Sequence, residues 1–259
     1  MMTHPDWSRF LSAMVLVLMR ISGLMVFAPV FSSQAIPARV KALFAFFISI
    51  LLAPVVAALP MTHAELGILP VLGELGVGLL YGLSLALLNE LLIFAGQVIG
   101  VQFSFSLVNL LDPNSQVQTP LIGQMLSLFG SMVVLASGLH RTLLASVMRS
   151  FAEAPMGAVF LDARTGTALA GMAGGVFLAA LQLAAPVLAA TLLVEFAISL
   201  LGRLSPQLPA LALTVPAKTM VGYVVLIGSL ALWPRFIETR FSALLDSAEM
   251  LVRHCVVRS

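Results

Sequence analysis

Residues 96–120, GQVIGVQFSFSLVNLLDPNSQVQTP, change character midway. Up to Leu111 the stretch is apolar, with small interruptions at Gly96, Gly100, Ser104 and Ser106 and phenylalanines at 103 and 105; from Asp112 it is a polar turn bounded by Pro113 and Pro120. Pro113 has no backbone donor and biases Asp112 away from helical dihedrals, so the pattern predicts a helix ending near Leu111 and a loop after it. A loop between apolar runs is tolerated at membrane depth only where protein buries it or it lines a water-filled path.

The composition around this stretch sets the class. Of 259 residues, 60% are apolar and only 9% charged, and the mean hydropathy is +1.08, far from globular averages and well inside the membrane-protein range. The 13 basic residues are scattered singly, with no basic face and no aromatic interleaving, which excludes a nucleic-acid partner. The single cysteine, Cys255, cannot form an internal disulfide, and no Cys/His cluster has metal-ligand spacing, so neither a metal nor a cofactor is expected.

The first apolar run, Phe10 to Phe31, is too long for a signal peptide and carries Arg20 near its middle. Twelve Leu, Ile, Val or Phe residues, at roughly −0.3 to −0.6 kcal/mol each, outweigh about +3 kcal/mol for a central arginine, so the run still inserts. Arg20 must then face protein or water. After SSQAIPARVK (residues 32–41), a second run from Ala42 to Leu59 completes a helical hairpin. Leu75 to Val108 is too long for one crossing of about 20 residues, and Glu90 is its only charge. Gly78/Gly82 and Gly96/Gly100 repeat at a four-residue spacing that lets helix backbones approach closely.

Leu121 to Leu139 is uncharged and is followed by His140, Arg141 and Arg149. Ser146 and His140 lack a nucleophile elbow and do not make a hydrolase, so the chain is not read as an enzyme. Ala168 to Leu201 is again over-long and holds Pro186 and Glu195; Ala210 to Trp233 holds Pro216 and Lys218. Arg20, Glu90 and Glu195 are the candidate intramembrane charges, expected to need partners outside the chain. From Pro234 to Val252, Ile237, Phe241, Leu244, Leu245, Ala248 and Leu251 recur at helical spacing, an amphipathic helix whose partner is the membrane surface or another protein. Loop charges give no clean topology. The mid-run prolines and long runs predict broken helices packed against other protein.

Four blocks carry a resemblance, in order: AIPARVKALF after the first run, GQVIGVQFSFSLVNLLDPNSQ in the centre, LHRTLLASVMRSFAEAP after the fourth, and APVLAATLLVEFAISLLGRLSPQLP near the end. Together they resemble the FliR family, export-gate subunits of the bacterial flagellar type III secretion system, over nearly the whole chain. Gly174 to Leu251 also resembles the small gate subunit FliQ, with Pro186, Pro216 and Lys218 in the places of its helix proline and its Pro-x-Lys.

The resemblance implies an all-α membrane protein of broken-helix hairpins: a FliP-like part over 1–165, a FliQ-like hairpin over 166–234 and a cytoplasmic tail helix over 235–259. It implies the inner membrane and the flagellar basal body, with FliP, FliQ and FlhB, exported flagellar proteins and membrane lipid as partners. Lys218, Pro186 and Pro216 would meet a neighbouring subunit. The central loop, about Phe103 to Gln118, would be a plug in the pore, with Phe103, Phe105, Leu107, Leu110 and Leu111 beside the turn Asp112-Pro113-Asn114. A hydrophobic constriction of that kind stops ions and water by dewetting; the alternative is that the phenylalanines fill a helix interface. Ser104 and Asn114 stand where glycine is usual, and Gln97 where an acidic residue is common. Two other readings are the injectisome homologue of the same gate, and a secondary transporter using Arg20, Glu90 and Glu195.

Overall fold

A computed structural model describes residues 4–27, 37–59, 66–103, 121–157, 163–205 and 210–255, and these contain helices and turns with no strand. The helices are α1 (His4–Phe27), α2 (Ala38–Ala57), α3 (Ile68–Gln102), α4 (Leu121–Ala136), α5 (Leu139–Glu153), α6 (Ala163–Leu204), α7 (Ala210–Ser229) and α8 (Trp233–His254). Among the described residues, parts of α1, α2, α3 and α6 are long and apolar enough to cross a membrane, and the bent pairs α4–α5 and α7–α8 raise the number of candidate spans to six. The protein is an all-α membrane protein.

Where the helices stop follows from local chemistry. α2 begins directly after Pro37, whose fixed φ of −57° suits an entry but not a preceding turn of helix. α4 and α5 are separated at Gly138, which sits at φ 71°, a left-handed conformation that glycine adopts without the Cβ penalty. α8 opens at Trp233-Pro234, where a proline in the first turn removes no intrahelical bond. The breaks therefore fall at residues 137–138 and 230–232, not at the internal prolines: α6 runs for 42 residues through Pro186, and α7 continues through Pro216.

The chain forms two compact units. The first takes residues 1–88, 137–173 and 240–259; the second takes 89–136 and 174–239, so packing divides the chain differently from the resemblance-based boundaries at 165 and 234. In the first unit α1 and α2 form the expected hairpin. α1 also crosses α3 backbone to backbone: a Cβ on Gly78 would lie 2.0 Å from the Arg20 carbonyl oxygen, and one on Gly82 2.6 Å from that of Leu24. The core beside this crossing holds Leu16, Val17, Val77 and Tyr81. In the second unit α3 crosses α4, where a Cβ on Gly96 would lie 2.3 Å from the Gly123 Cα. Gly100, the other half of that pair in sequence, has open space around its Cα.

Candidate functional site

Of the expected plug residues, Phe105, Leu107, Leu110, Leu111, Asp112, Pro113 and Asn114 lie outside the described residues. Phe103 is described, and it is 2% exposed. Its ring lies 4.7 Å from that of Tyr223 at 35°, over Gly222, where an added Cβ would come within 2.1 Å of Cε1. Gly222 and Tyr223 belong to α7, so Phe103, the first residue of the central segment, is seated on that helix. α3 is described to Gln102, and the Phe103 N–H still reaches the Ile99 carbonyl at 3.2 Å; the end near Leu111 that Pro113 predicts lies outside the described residues.

Arg20 is fully buried, and its partners come from within the chain. Nε donates to Glu74 Oε2 at 2.6 Å, Nη1 to Ser150 Oγ at 2.9 Å, and Nη2 to the Ala154 carbonyl at 3.0 Å. The Phe151 ring centroid lies 4.1 Å from Cζ. Glu74 is equally buried and takes a further hydrogen bond from the Gly157 N–H at 3.3 Å, in a turn where Gly157 has φ 83°. This constellation joins α1, α3, α5 and the turn after α5 within the first unit. Taking two ions out of water is repaid only when geometry and extra hydrogen bonds satisfy both, as they do here.

The sequence marks Arg20 but not Glu74, which falls in a weakly apolar stretch that reads as a junction. Its legible signal is the spacing to Gly78: the close approach of Gly78 to the Arg20 backbone places Glu74, one turn earlier on α3, beside the arginine side chain. The other candidate charges differ. Glu195 pairs with Lys218 across α6 and α7; the lysine side chain is 9% exposed and the carboxylate side chain 43%. Lys218, expected to meet a neighbouring subunit, has an acidic partner inside the chain. Glu90 is exposed, and no described residue pairs with it. Pro186 and Pro216 are exposed on their helices.

A third polar group holds α8. Ser146 donates to Glu249 at 2.5 Å and lies 3.4 Å from the Tyr81 hydroxyl. Arg253 makes two hydrogen bonds to Glu153, at 2.9 and 2.8 Å. Ile237, Phe241, Leu245, Ala248, Val252 and Cys255 are all buried, so the amphipathic face of α8 is covered by the protein itself. Ser146 is turned to Glu249 and not to His140, whose Nδ1 is buried without a hydrogen-bond partner; no nucleophile–base pair forms. Among the described residues no group of three His, Cys, Asp or Glu could hold a metal ion. The arrangement therefore consists of ion pairs that join helices, one of them fully buried, and of apolar surface along those helices.

Comparison with known proteins is consistent with this. A family described as bacterial export proteins, family 1, matches residues 11–244. The chain is 29% identical over 244 residues to the flagellar biosynthetic protein FliR of Bacillus subtilis (strain 168), covering 93% of this chain and 94% of that one. With FliR of Caulobacter vibrioides the identity is 30% over 236 residues, covering 89% and 93% of the two chains. With FliR of Escherichia coli (strain K12) it is 25% over 245 residues, covering 94% of each. The match reaches into every helix from α1 to α8 and takes in both the Arg20–Glu74 and the Lys218–Glu195 pairs: the chain belongs to the FliR family of bacterial export proteins.

Proposed function

We propose that this chain is a non-enzymatic subunit of the flagellar protein export gate, set in the inner membrane at the basal body, where it forms and closes a protein-conducting channel with FliP-, FliQ- and FlhB-type subunits. The observation that carries the reading is the family match across residues 11–244 of a chain built of apolar helices. The flagellar name of the relatives favours this gate over its injectisome counterpart. The transporter reading loses support because Arg20 and Glu195, two of its three site charges, are already paired within the chain.

Within this gate the segment from Phe103 to Gln118 is the proposed plug, with Phe103 as its seat on α7 and Phe105, Leu107, Leu110 and Leu111 as the apolar closure before Asp112-Pro113-Asn114. One experiment with two arms tests the reading. Deleting the gene should remove flagellar proteins from the culture medium, and restoring it without Val108–Gln118 should give an assembled complex that leaks ions. Undiminished export after gene deletion overturns the gate; loss of assembly without a leak overturns the plug.

A further inference from the structure

α3 carries two carboxylates in opposite settings. Glu74 is sealed against Arg20, whereas Glu90 is exposed and none of the described residues pairs with it. Seven residues on, about 10.5 Å along the axis and within about 20° of the same direction, Gln97 is exposed as well, and Val101 continues the strip at 63%. α4 closes one flank of this strip through the Asn89–Ser127 hydrogen bond and the Gly96–Gly123 crossing; α6 closes the other, where Phe94 meets Phe177 at 5.0 Å between centroids.

Large apolar side chains are exposed on both flanking helices. Met125, Leu128 and Met132 of α4 and Phe177 and Leu178 of α6 are each more than half exposed. Apolar surface of this kind is covered by lipid or by protein. Lipid tails are a poor cover for a carboxylate, since intramembrane Asp and Glu face protein or a water-filled cavity and pair there. The large exposed side chains of α4 and α6 named above are apolar, which favours a protein cover over a water-filled cavity.

We propose that the Glu90–Gln97 strip is the docking face for an apolar helix of another protein subunit, carrying one lysine or arginine opposite Glu90 and a hydrogen-bonding side chain about two turns away, opposite Gln97. The ion pair fixes the depth and rotation of the incoming helix, and the amide of Gln97, which both donates and accepts, fixes its register. This rests on the reading of the chain as part of a membrane assembly, but its test needs no export.

A benzophenone amino acid placed at position 97 in cells should give, on irradiation, an adduct with one membrane protein. Glu90→Leu and Glu90→Lys should lower recovery of the detergent-extracted complex by about tenfold or more while the chain itself still accumulates, because a buried lysine or arginine on the partner is left unpaired. Glu90→Lys should be rescued by replacing that partner's basic residue with glutamate. Adducts with lipid alone, recovery of Glu90→Leu at the wild-type level, or full labelling of Glu90→Cys by a membrane-impermeant maleimide in intact assemblies would each overturn the docking face. If gene deletion leaves export unchanged while the protein adduct still forms, the export reading falls and this one stands.

Discussion

Arg20 carries its charge through the middle of an apolar helix at 0% exposure, and Glu74 is what makes that tolerable. Removing one member of such a pair leaves a bare ion in a low-dielectric interior, which costs about 3–5 kcal/mol, whereas replacing both by apolar groups of similar size is often close to neutral. Glu74→Leu should therefore lower the thermal stability of the purified protein sharply, Arg20→Leu should do the same, and the double variant should recover most of the loss. Additive losses in a thermal-unfolding series would show that the two residues act separately. The same logic gives Glu195→Gln a smaller effect, because solvent screens a carboxylate whose side chain is 43% exposed. At this scale Arg20, Glu195 and Lys218 were legible in the sequence, whereas Glu74 and the pairing were not. Arg20 and Glu74 are 54 residues apart, and Lys218 and Glu195 lie on different helices, so each partner is fixed by a helix crossing that no local pattern records.

The amphipathic helix over Pro234 to Val252 was legible nearly to the residue, because a period of 3.6 is a property of one segment alone. Ile237, Phe241, Leu245 and Ala248 of the expected stripe are buried; Leu244 and Leu251 lie at its edge, and Val252 and Cys255 extend it. What covers the stripe was not legible, and neither was α6, where Pro186 suggested a break in a helix that in fact continues. A proline removes one hydrogen bond from the ladder, and in a helix of 42 residues the bonds on either side carry the path through. Since the face of α8 is covered by the chain itself, Phe241→Ala should open a cavity and destabilise by about 3–5 kcal/mol. Met250→Ala, at a site 55% exposed on the same helix, should fall within about 0.5 kcal/mol of wild type. Equal effects of the two, read by proteolysis or thermal unfolding, would mean that α8 does not dock on its own chain.

The whole molecule poses a problem of length. α6 is about 63 Å long and α3 about 52 Å, against a hydrocarbon core of about 30 Å. On α6 the exposed apolar side chains run from Phe177 and Leu178 through Leu192, Leu193, Phe196, Leu200 and Leu201 to Leu204, about 40 Å of axis. Fitting that run inside the core would need a tilt of about 42°, just past the range of about 0–40° that spanning helices adopt. Part of the run must therefore be covered by protein. Unpaired intramembrane charge is no longer a reason for instability of the lone chain at Arg20 and Glu195, which find their partners at home. The apolar overhang supplies a different one. Purified alone in mild detergent, the chain should be polydisperse by light scattering after gel filtration, and co-expression with the neighbouring membrane subunits should yield one monodisperse complex with a higher unfolding temperature. Replacing Phe196, Leu200 and Leu204 together by serine should make the lone chain more monodisperse and weaken the complex, because the same side chains drive both outcomes. A lone chain that is monodisperse and as heat-stable as the complex would place the whole of α6 against lipid and detergent, and the overhang would then have to be taken up by local thickening of the bilayer.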